Sequence, residues 1–103
     1  MERIEKLKEF LLSNPHDSFL QHALALECIK IGDDNQARNL FEEILKRDPS
    51  YIGSYYHLAK LLERMDQTAE AIKYYEQGME QAKKAGDNHS YMELKAAYEE
   101  LIF

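Results

Sequence analysis

Residues 55–75 read YYHLAKLLERMDQTAEAIKYY, and residues 21–41, which lie 34 positions earlier, read QHALALECIKIGDDNQARNLF. Side chains of similar size recur at that offset. The matched pairs are Leu24 and Leu58, Ala25 and Ala59, Ala37 and Ala71, Phe41 and Tyr75, and, outside the two stretches, Pro15 and Pro49. A fixed period of this length is typical of stacked supersecondary units, each of which buries its apolar face against a neighbour. The repeat predicts a binding scaffold and leaves the identity of the partner open.

The composition predicts an all-α protein. The chain has 103 residues, which is enough for one domain with a modest core. It contains no Val and no Trp and is rich in Ala, Leu, Glu, Lys and Gln, which are good helix formers. Turn-forming residues at 13–17, 32–35, 48–50, 66–68 and 86–88 divide it into six predicted helices, at about 2–13, 17–31, 35–47, 51–65, 68–85 and 88–102. Such short connections predict antiparallel neighbours.

Charge and cysteine content exclude several classes of function. The 13 basic and 19 acidic residues give a net charge of -6, and no basic run is long enough to follow a phosphate backbone, so we expect no nucleic-acid partner. Cys28 is the single cysteine and cannot form an internal disulfide, which is consistent with a reducing compartment. The N-terminus is charged from Glu2 onward, and no apolar stretch approaches the ~20 residues of a membrane span. These features predict a cytoplasmic protein that does not enter a membrane.

The repeated positions resemble the signature of the tetratricopeptide repeat family, W-x2-L-G-x2-Y followed by A-x3-F and P. The second copy matches at Tyr55, Leu58, Ala59, Leu62, Ala71 and Tyr75, and the first at Leu24, Ala25, Cys28, Ala37, Phe41 and Pro49. Gln21 stands where the first aromatic residue is expected, alanine replaces glycine in both copies, and Lys83 replaces the closing proline of the second. The Lys83 departure predicts a fifth helix that continues to Gly86.

The resemblance implies a single domain over residues 1–103 that forms a right-handed α-α superhelix. Its parts are predicted as a half-repeat helix at 1–17, repeat one at 18–51, repeat two at 52–85 and a capping helix at 86–103. Tyr91, Leu94 and Tyr98 reproduce the first half of the signature in the capping helix. We therefore expect four tyrosines at core positions, namely Tyr55, Tyr75, Tyr91 and Tyr98.

The sequence contains no arrangement that predicts catalysis or a bound cofactor. No two of the four histidines have the i, i+4 spacing of a helical zinc site, and Cys28 lacks a CxxC partner. Cys28 occupies a signature position expected to be buried, where a thiol behaves as a small apolar group. No glycine-rich phosphate loop and no GxSxG motif is present. We expect a non-enzymatic protein without cofactor or metal.

In the tetratricopeptide family the first helices of successive repeats line a concave groove that binds a peptide or helix of another protein. Transferred to this sequence, the groove residues are Phe19, His22, Leu26, Ile29, Lys30, Tyr56, Lys60, Glu63, Arg64 and Met92. Lys60 and Arg64 are spaced i, i+4 and predict a small positive patch beside Tyr56. The groove would suit a segment with an apolar anchor and one acidic group. His22 and Leu26 stand where chaperone-binding members carry Lys and Asn, which disfavours a chaperone-tail receptor.

Self-association is the alternative interpretation. The N-terminal helix carries a broad apolar stripe, formed by Ile4, Leu7, Phe10, Leu11 and Leu12, and the chain ends in Leu101, Ile102 and Phe103. A structural homo-oligomer, such as a homodimer through the N-terminal helix, would cover these side chains. They could equally close the ends of the core in a monomer. An interaction adaptor and a homo-oligomer are therefore both carried forward as hypotheses.

Overall fold

The computed structural model describes residues 2–103 and contains six helices. They are α1 (Glu2–Ser13), α2 (Ser18–Lys30), α3 (Asp34–Arg47), α4 (Gly53–Arg64), α5 (Thr68–Ala85) and α6 (Asn88–Ile102). No strand occurs between residues 2 and 103, so the all-α prediction is confirmed. The predicted helix ends agree with the observed ends to within two residues. None of these helices combines the length and the apolarity needed to cross a bilayer.

Aspartate side chains begin three of the helices. Asp17 accepts a hydrogen bond from the Leu20 backbone N–H at 3.0 Å, Asp33 from Gln36 at 3.2 Å and Asp87 from Ser90 at 3.0 Å. Each bond satisfies a first-turn N–H group that has no partner within the helix. For α2, α3 and α6, a polar residue that separated the helices in the sequence is therefore the residue that caps the next helix, whereas α4 and α5 begin without a side-chain cap.

Gly86 ends α5 in the left-handed region, with φ of 69°. Its backbone N–H donates to the Lys83 carbonyl at 3.1 Å, which closes the last turn of the helix. The prediction that α5 runs on to this glycine, past the position where the repeat signature has a proline, is confirmed.

The first of two compact units ends at Asp48 and contains α1, α2 and α3. Within it, α2 packs against both α1 and α3. Its core holds Ala25, Cys28, Ala37 and Phe41, all fully buried. The predicted burial of Cys28 is thus confirmed.

The second unit runs from Pro49 to Phe103 and contains α4, α5 and α6. Within this unit, α5 packs against α4 and α6. Its fully buried side chains include Leu58, Leu62, Ala71 and Tyr75. The signature residues of the second repeat therefore lie in the core, as the resemblance implied.

Gln21, which departs from the aromatic residue of the signature, makes the same backbone contact as its counterpart Tyr55. The Gln21 amide donates to the Pro15 carbonyl at 3.3 Å, and the Tyr55 hydroxyl donates to the Pro49 carbonyl at 2.6 Å. Gln21 is buried, and its carbonyl oxygen accepts from the Arg47 guanidinium at 2.6 Å. A polar side chain is tolerated there because all its hydrogen-bonding groups face partners.

Candidate interaction surface

Helix α4 separates core residues from candidate binding residues by their position around the helix axis. Tyr55, Leu58 and Leu62 are buried against the rest of the second unit. Tyr56 follows Tyr55 by one residue, about 100° around the helix, and is only half-buried. Lys60 and Arg64 follow Tyr56 at successive i, i+4 steps, and both are exposed. Helix α4 therefore has an outward face at the predicted position, because the other side of the helix is buried in the second unit.

The side chains on this face contact one another. The Lys60 Nζ atom lies 6.0 Å from the centroid of the Tyr56 ring and 3.9 Å from Glu63 Oε2. A cation over an aromatic face at this distance is weakly attracted to the ring. The Glu63 carboxylate offsets part of the Lys60 charge, so the patch is less positive than the pair Lys60 and Arg64 suggests.

A buried tyrosine holds the Glu63 carboxylate in place. The Tyr75 hydroxyl, which is inaccessible to solvent, donates a hydrogen bond to Glu63 Oε2. Burial raises the pKa of the Tyr75 hydroxyl, and the bond to Glu63 raises that pKa further because it stabilises the protonated form. This link was missed from the sequence. Its one signal is that position 75 is tyrosine where the first repeat has Phe41, which has no hydroxyl to donate.

The predicted groove residues on α2 differ in exposure. Phe19 is 68% exposed, whereas Leu26 and Ile29 are half-buried. The His22 ring is also half-buried and lies edge-on to Phe41, with 5.5 Å between ring centroids. Lys30 is exposed and pairs with Glu27 at 3.0 Å. Phe19 is consequently the large apolar side chain that α2 presents most openly.

Glu27, which the sequence did not single out, joins α1 to α2. It pairs with Lys30 at 3.0 Å and with Arg3 at 3.4 Å. The hydrogen bond from Lys30 is the main cause that lowers the pKa of the Glu27 carboxyl. The Arg3 side chain is 67% exposed whereas Glu27 is 16% exposed, so water screens the pair from the Arg3 side and its contribution to stability is small.

The capping helix presents Met92, which is 60% exposed, on the surface of the second unit. The expectation that Tyr91 and Tyr98 are core residues was wrong, because both are only half-buried. Tyr98 donates to Glu76 at 2.9 Å, and Lys83 Nζ lies 5.9 Å from the Tyr91 ring centroid. The physical reason is that α6 packs against α5, and no further helix within residues 2–103 follows it to cover its other side.

His57, between the core and the outward face of α4, should make the second unit sensitive to pH. Burial lowers the pKa of its imidazole below the ordinary value of 6.5, and Glu93 of α6 opposes that shift more weakly. The unfolded chain therefore binds a proton at His57 more readily than the folded chain. We expect the stability to be greatest above about pH 6.5 and to fall as the pH drops from 6.5 toward the lower pKa of the folded state.

Urea unfolding between pH 7.5 and pH 5.5 measures this dependence. The slope of unfolding free energy against pH should be smaller in His57→Gln than in the parent. His89→Gln, at an exposed position on α6, is the matched control and should keep the parental slope. Equal slopes in the parent and His57→Gln would contradict the prediction.

The described residues do not group into a metal centre. Within residues 2–103, no cluster of three or more His, Cys, Asp or Glu side chains could hold a metal ion. Burial raises the pKa of the Cys28 thiol, which disfavours the reactive thiolate. The surfaces described above consist of aromatic, aliphatic and charged side chains.

Repeats of two antiparallel helices, packed through small residues and a buried aromatic, define the class of protein. Residues 30–98, more than half of the chain, match the family profile described as tetratricopeptide repeat. The chain belongs to the tetratricopeptide repeat family, and its fold is that of a protein-interaction module. Repeats of this family are generally non-enzymatic.

Known proteins similar to this chain agree with that assignment. The solution structure of a tetratricopeptide repeat domain protein from Salinibacter ruber is 44% identical, with a TM-score of 0.81 over 84% of this chain and 88% of that one. The TPR2B domain of yeast Sti1, in a structure with pHsp70, is 15% identical, with a TM-score of 0.87 over 95% of this chain and 78% of that one. Aspartyl/asparaginyl beta-hydroxylase of Homo sapiens is 28% identical over 74 residues, or 72% of this chain. The chain spans 10% of the length of that curated relative.

Proposed function

We propose that this protein is a non-enzymatic adaptor that binds a peptide or helix of a partner protein on the outward faces of its first-of-repeat helices. The observation that carries the proposal is the arrangement on α4, where Tyr56 stays accessible beside Lys60 while the adjacent Tyr55 is buried. Accessible aromatic and basic side chains on a rigid helix are typical of residues that contribute most to binding. The Sti1 domain of the same fold forms a complex with pHsp70, and a protein ligand is the class we propose here.

The side chains favour a partner segment with an apolar anchor and an acidic group. Tyr56 on α4 supplies an aromatic surface, and the exposed Lys60 and Arg64 supply the positive charge. On α2, the proposed contacts are Phe19, His22, Leu26, Ile29 and Lys30, which are mostly apolar. Glu63 on α4 and Met92 on α6 are the remaining proposed contact residues. The cytoplasmic location expected from the sequence stays a prediction.

Substitution of Tyr56 tests the apolar part of this surface. Because Tyr56 points away from the core, Tyr56→Ala should retain the fold and weaken binding of a partner recovered by pull-down by about 1 to 2 kcal/mol. Isothermal titration of the purified partner against the parent and the variant measures the loss. Met79→Ala, at a half-buried position on α5, is the control for a general loss of packing and should bind like the parent.

Charge reversal tests the basic part. Lys60→Glu combined with Arg64→Glu should weaken binding of an acidic partner and make its affinity less dependent on salt. Lys84→Glu, on the exposed surface of α5, changes the net charge without touching α4 and should bind almost as tightly as the parent. If Tyr56→Ala and the charge-reversed variant both bind with parental affinity, the partner does not use this face of α4.

A further inference from the structure

An open pocket in the first unit is lined mainly by basic side chains. It has a volume of about 220 Å³ and lies between the turn before α2 and the C-terminal end of α3. Its lining residues, which are all exposed, are His16, Glu43, Lys46 and Arg47, and we name it the basic pocket. The volume is below the ~300 Å³ at which pockets for drug-sized ligands begin. The basic pocket therefore suits a small ion or the end of one side chain.

Two neutral side chains of α2 hold the Arg47 guanidinium at the edge of the basic pocket. The Arg47 Nη2 atom donates to Ser18 Oγ at 3.0 Å and to Gln21 Oε1 at 2.6 Å. Neither acceptor is charged, so the positive charge of Arg47 is held in place without being neutralised. Among the described residues Arg47 makes no other hydrogen bond, which leaves its Nε and Nη1 donors available to a ligand.

The same hydrogen bonds fix the turn that carries His16. Gln21 is 3% exposed, and its amide donates to the carbonyl of Pro15, the residue before His16, at 3.3 Å. One buried side chain therefore joins the turn on one side of the basic pocket to the arginine on the other. A site that is already held in position loses little conformational freedom when a ligand binds.

The second repeat has no basic residue at the matching positions. With the 34-residue offset, the four residues that line the basic pocket correspond to Ser50, Gln77, Glu80 and Gln81. Gln21 corresponds to Tyr55, whose hydroxyl donates to the Pro49 carbonyl at 2.6 Å. The repeat fold therefore does not require the basic residues of the first repeat.

The helix dipole alone does not account for this charge. Lys46 and Arg47 lie in the last turn of α3, where positive charge is favourable. In the last turn of α5, however, Lys84 is paired with Glu80 at 3.5 Å. Lys46 forms no ion pair or hydrogen bond with any described residue, although Glu43 stands three positions before it. Two positive charges of the basic pocket are thus left without a counterion.

We propose that the basic pocket binds a phosphoryl group, which is supplied either as free phosphate or on a phosphorylated side chain of another protein. A phosphoryl group carries about 1.5 to 2 negative charges at pH 7 and three acceptor oxygens. Lys46 and Arg47 match that charge, and the His16 ring can donate a further hydrogen bond. A carboxylate carries only one charge and would balance the two cations less well. Glu43 repels the anion and limits its affinity.

Titration of the nitrogen-15-labelled full chain with three probes tests the proposal. The probes are inorganic phosphate, a peptide with one phosphoserine between two pairs of glycines, and the same peptide with serine, all at pH 7 and constant ionic strength. The Arg47 Nε–H resonance should shift saturably with phosphate and with the phosphopeptide, and at least tenfold less with the serine peptide. A phosphopeptide that binds at least fivefold tighter than phosphate identifies a modified protein as the source. A smaller difference identifies free phosphate.

Matched variants locate the anion. Lys46→Gln should weaken phosphate binding at least threefold, and Glu43→Gln, which removes the opposing charge, should strengthen it at least twofold. Lys8→Gln removes an exposed charge of the same unit outside the basic pocket and should bind like the parent. None of these residues belongs to the proposed α4 surface, so the result does not depend on the adaptor proposal.

Three results would overturn the inference. The first is that neither phosphate nor the phosphopeptide gives a saturable shift, and the second is that the serine peptide binds as well as the phosphopeptide. The third is that Lys46→Gln and Lys8→Gln weaken binding equally, which would indicate an adventitious ion only, attracted by the overall charge of the surface.

Discussion

Leu58→Ala is expected to lower the free energy of unfolding by about 2 to 5 kcal/mol. Leu58 is fully buried at the centre of α4 and is among the largest side chains in the protein that have no contact with solvent. Its truncation removes apolar contacts and leaves a cavity, because the surrounding helices relax only in part. A loss of this size is a large share of the stability of a small domain. Urea unfolding followed by circular dichroism at 222 nm measures it.

The chain offers a matched leucine for comparison. Leu12 on α1 is 85% exposed, so Leu12→Ala removes the same atoms without opening a cavity. It should change the free energy of unfolding by no more than about 0.5 kcal/mol. If the two leucine variants unfolded at the same urea concentration, the packing of α4 described here would be incorrect.

Gly78→Leu is expected to destabilise the second unit by about 1 to 3 kcal/mol through overpacking. A Cβ atom at this position would lie 2.7 Å from Tyr55 Cβ, closer than carbon atoms pack, and 3.1 Å from Leu94 Cδ1, a tight contact that a small shift of the leucine would relieve. Leucine is a better helix former than glycine by up to about 1 kcal/mol, which favours the variant. We expect the cost of overpacking to exceed the gain in helix propensity. The nearest atom, Tyr55 Cβ, is bonded to the backbone and can move only if α4 moves.

Gly78→Ala and Gln77→Ala separate the two effects. Gly78→Ala adds only the clashing Cβ atom and should fall between the parent and Gly78→Leu in stability. Gln77→Ala, at the exposed neighbouring position of α5, reports on helix propensity alone and should be close to neutral. A Gly78→Leu variant that is as stable as Gln77→Ala would show that α4 and α5 do not approach closely at this point.

The 34-residue repeat and the turn residues were enough to predict most of the fold from the sequence. The aspartates at 17, 33 and 87 mark the starts of three helices because their side chains cap them, which is a local interaction. Gly86 marks the end of α5 because the left-handed conformation there favours glycine. The family profile confirms the assignment that the 34-residue offset suggested.

The candidate surface was only partly predictable. The sequence placed Tyr56, Lys60 and Arg64 on one side of α4, since helical spacing is enough to establish that they share a face. It did not reveal the hydrogen bond from Tyr75 to Glu63, because the two residues lie on different helices and only packing brings them together. For the same reason the sequence treated Lys60 and Arg64 as an isolated positive patch, although Glu63 lies 3.9 Å from Lys60 Nζ.

The sequence by itself determined the number of helices, their approximate ends and the identity of the buried signature residues, because these depend on interactions within one or two helical turns and on a repeated apolar pattern. The tertiary structure alone decided which signature positions are covered. Tyr55 and Tyr75 are buried and Tyr98 is not, although each occupies a signature position, and Phe10 is exposed although Ile44 at the same repeat position is buried. The physical reason is that a side chain is buried only where another helix packs over it, as Gly78 of α5 packs against Tyr55 of α4, and such contacts join residues that are distant in the sequence.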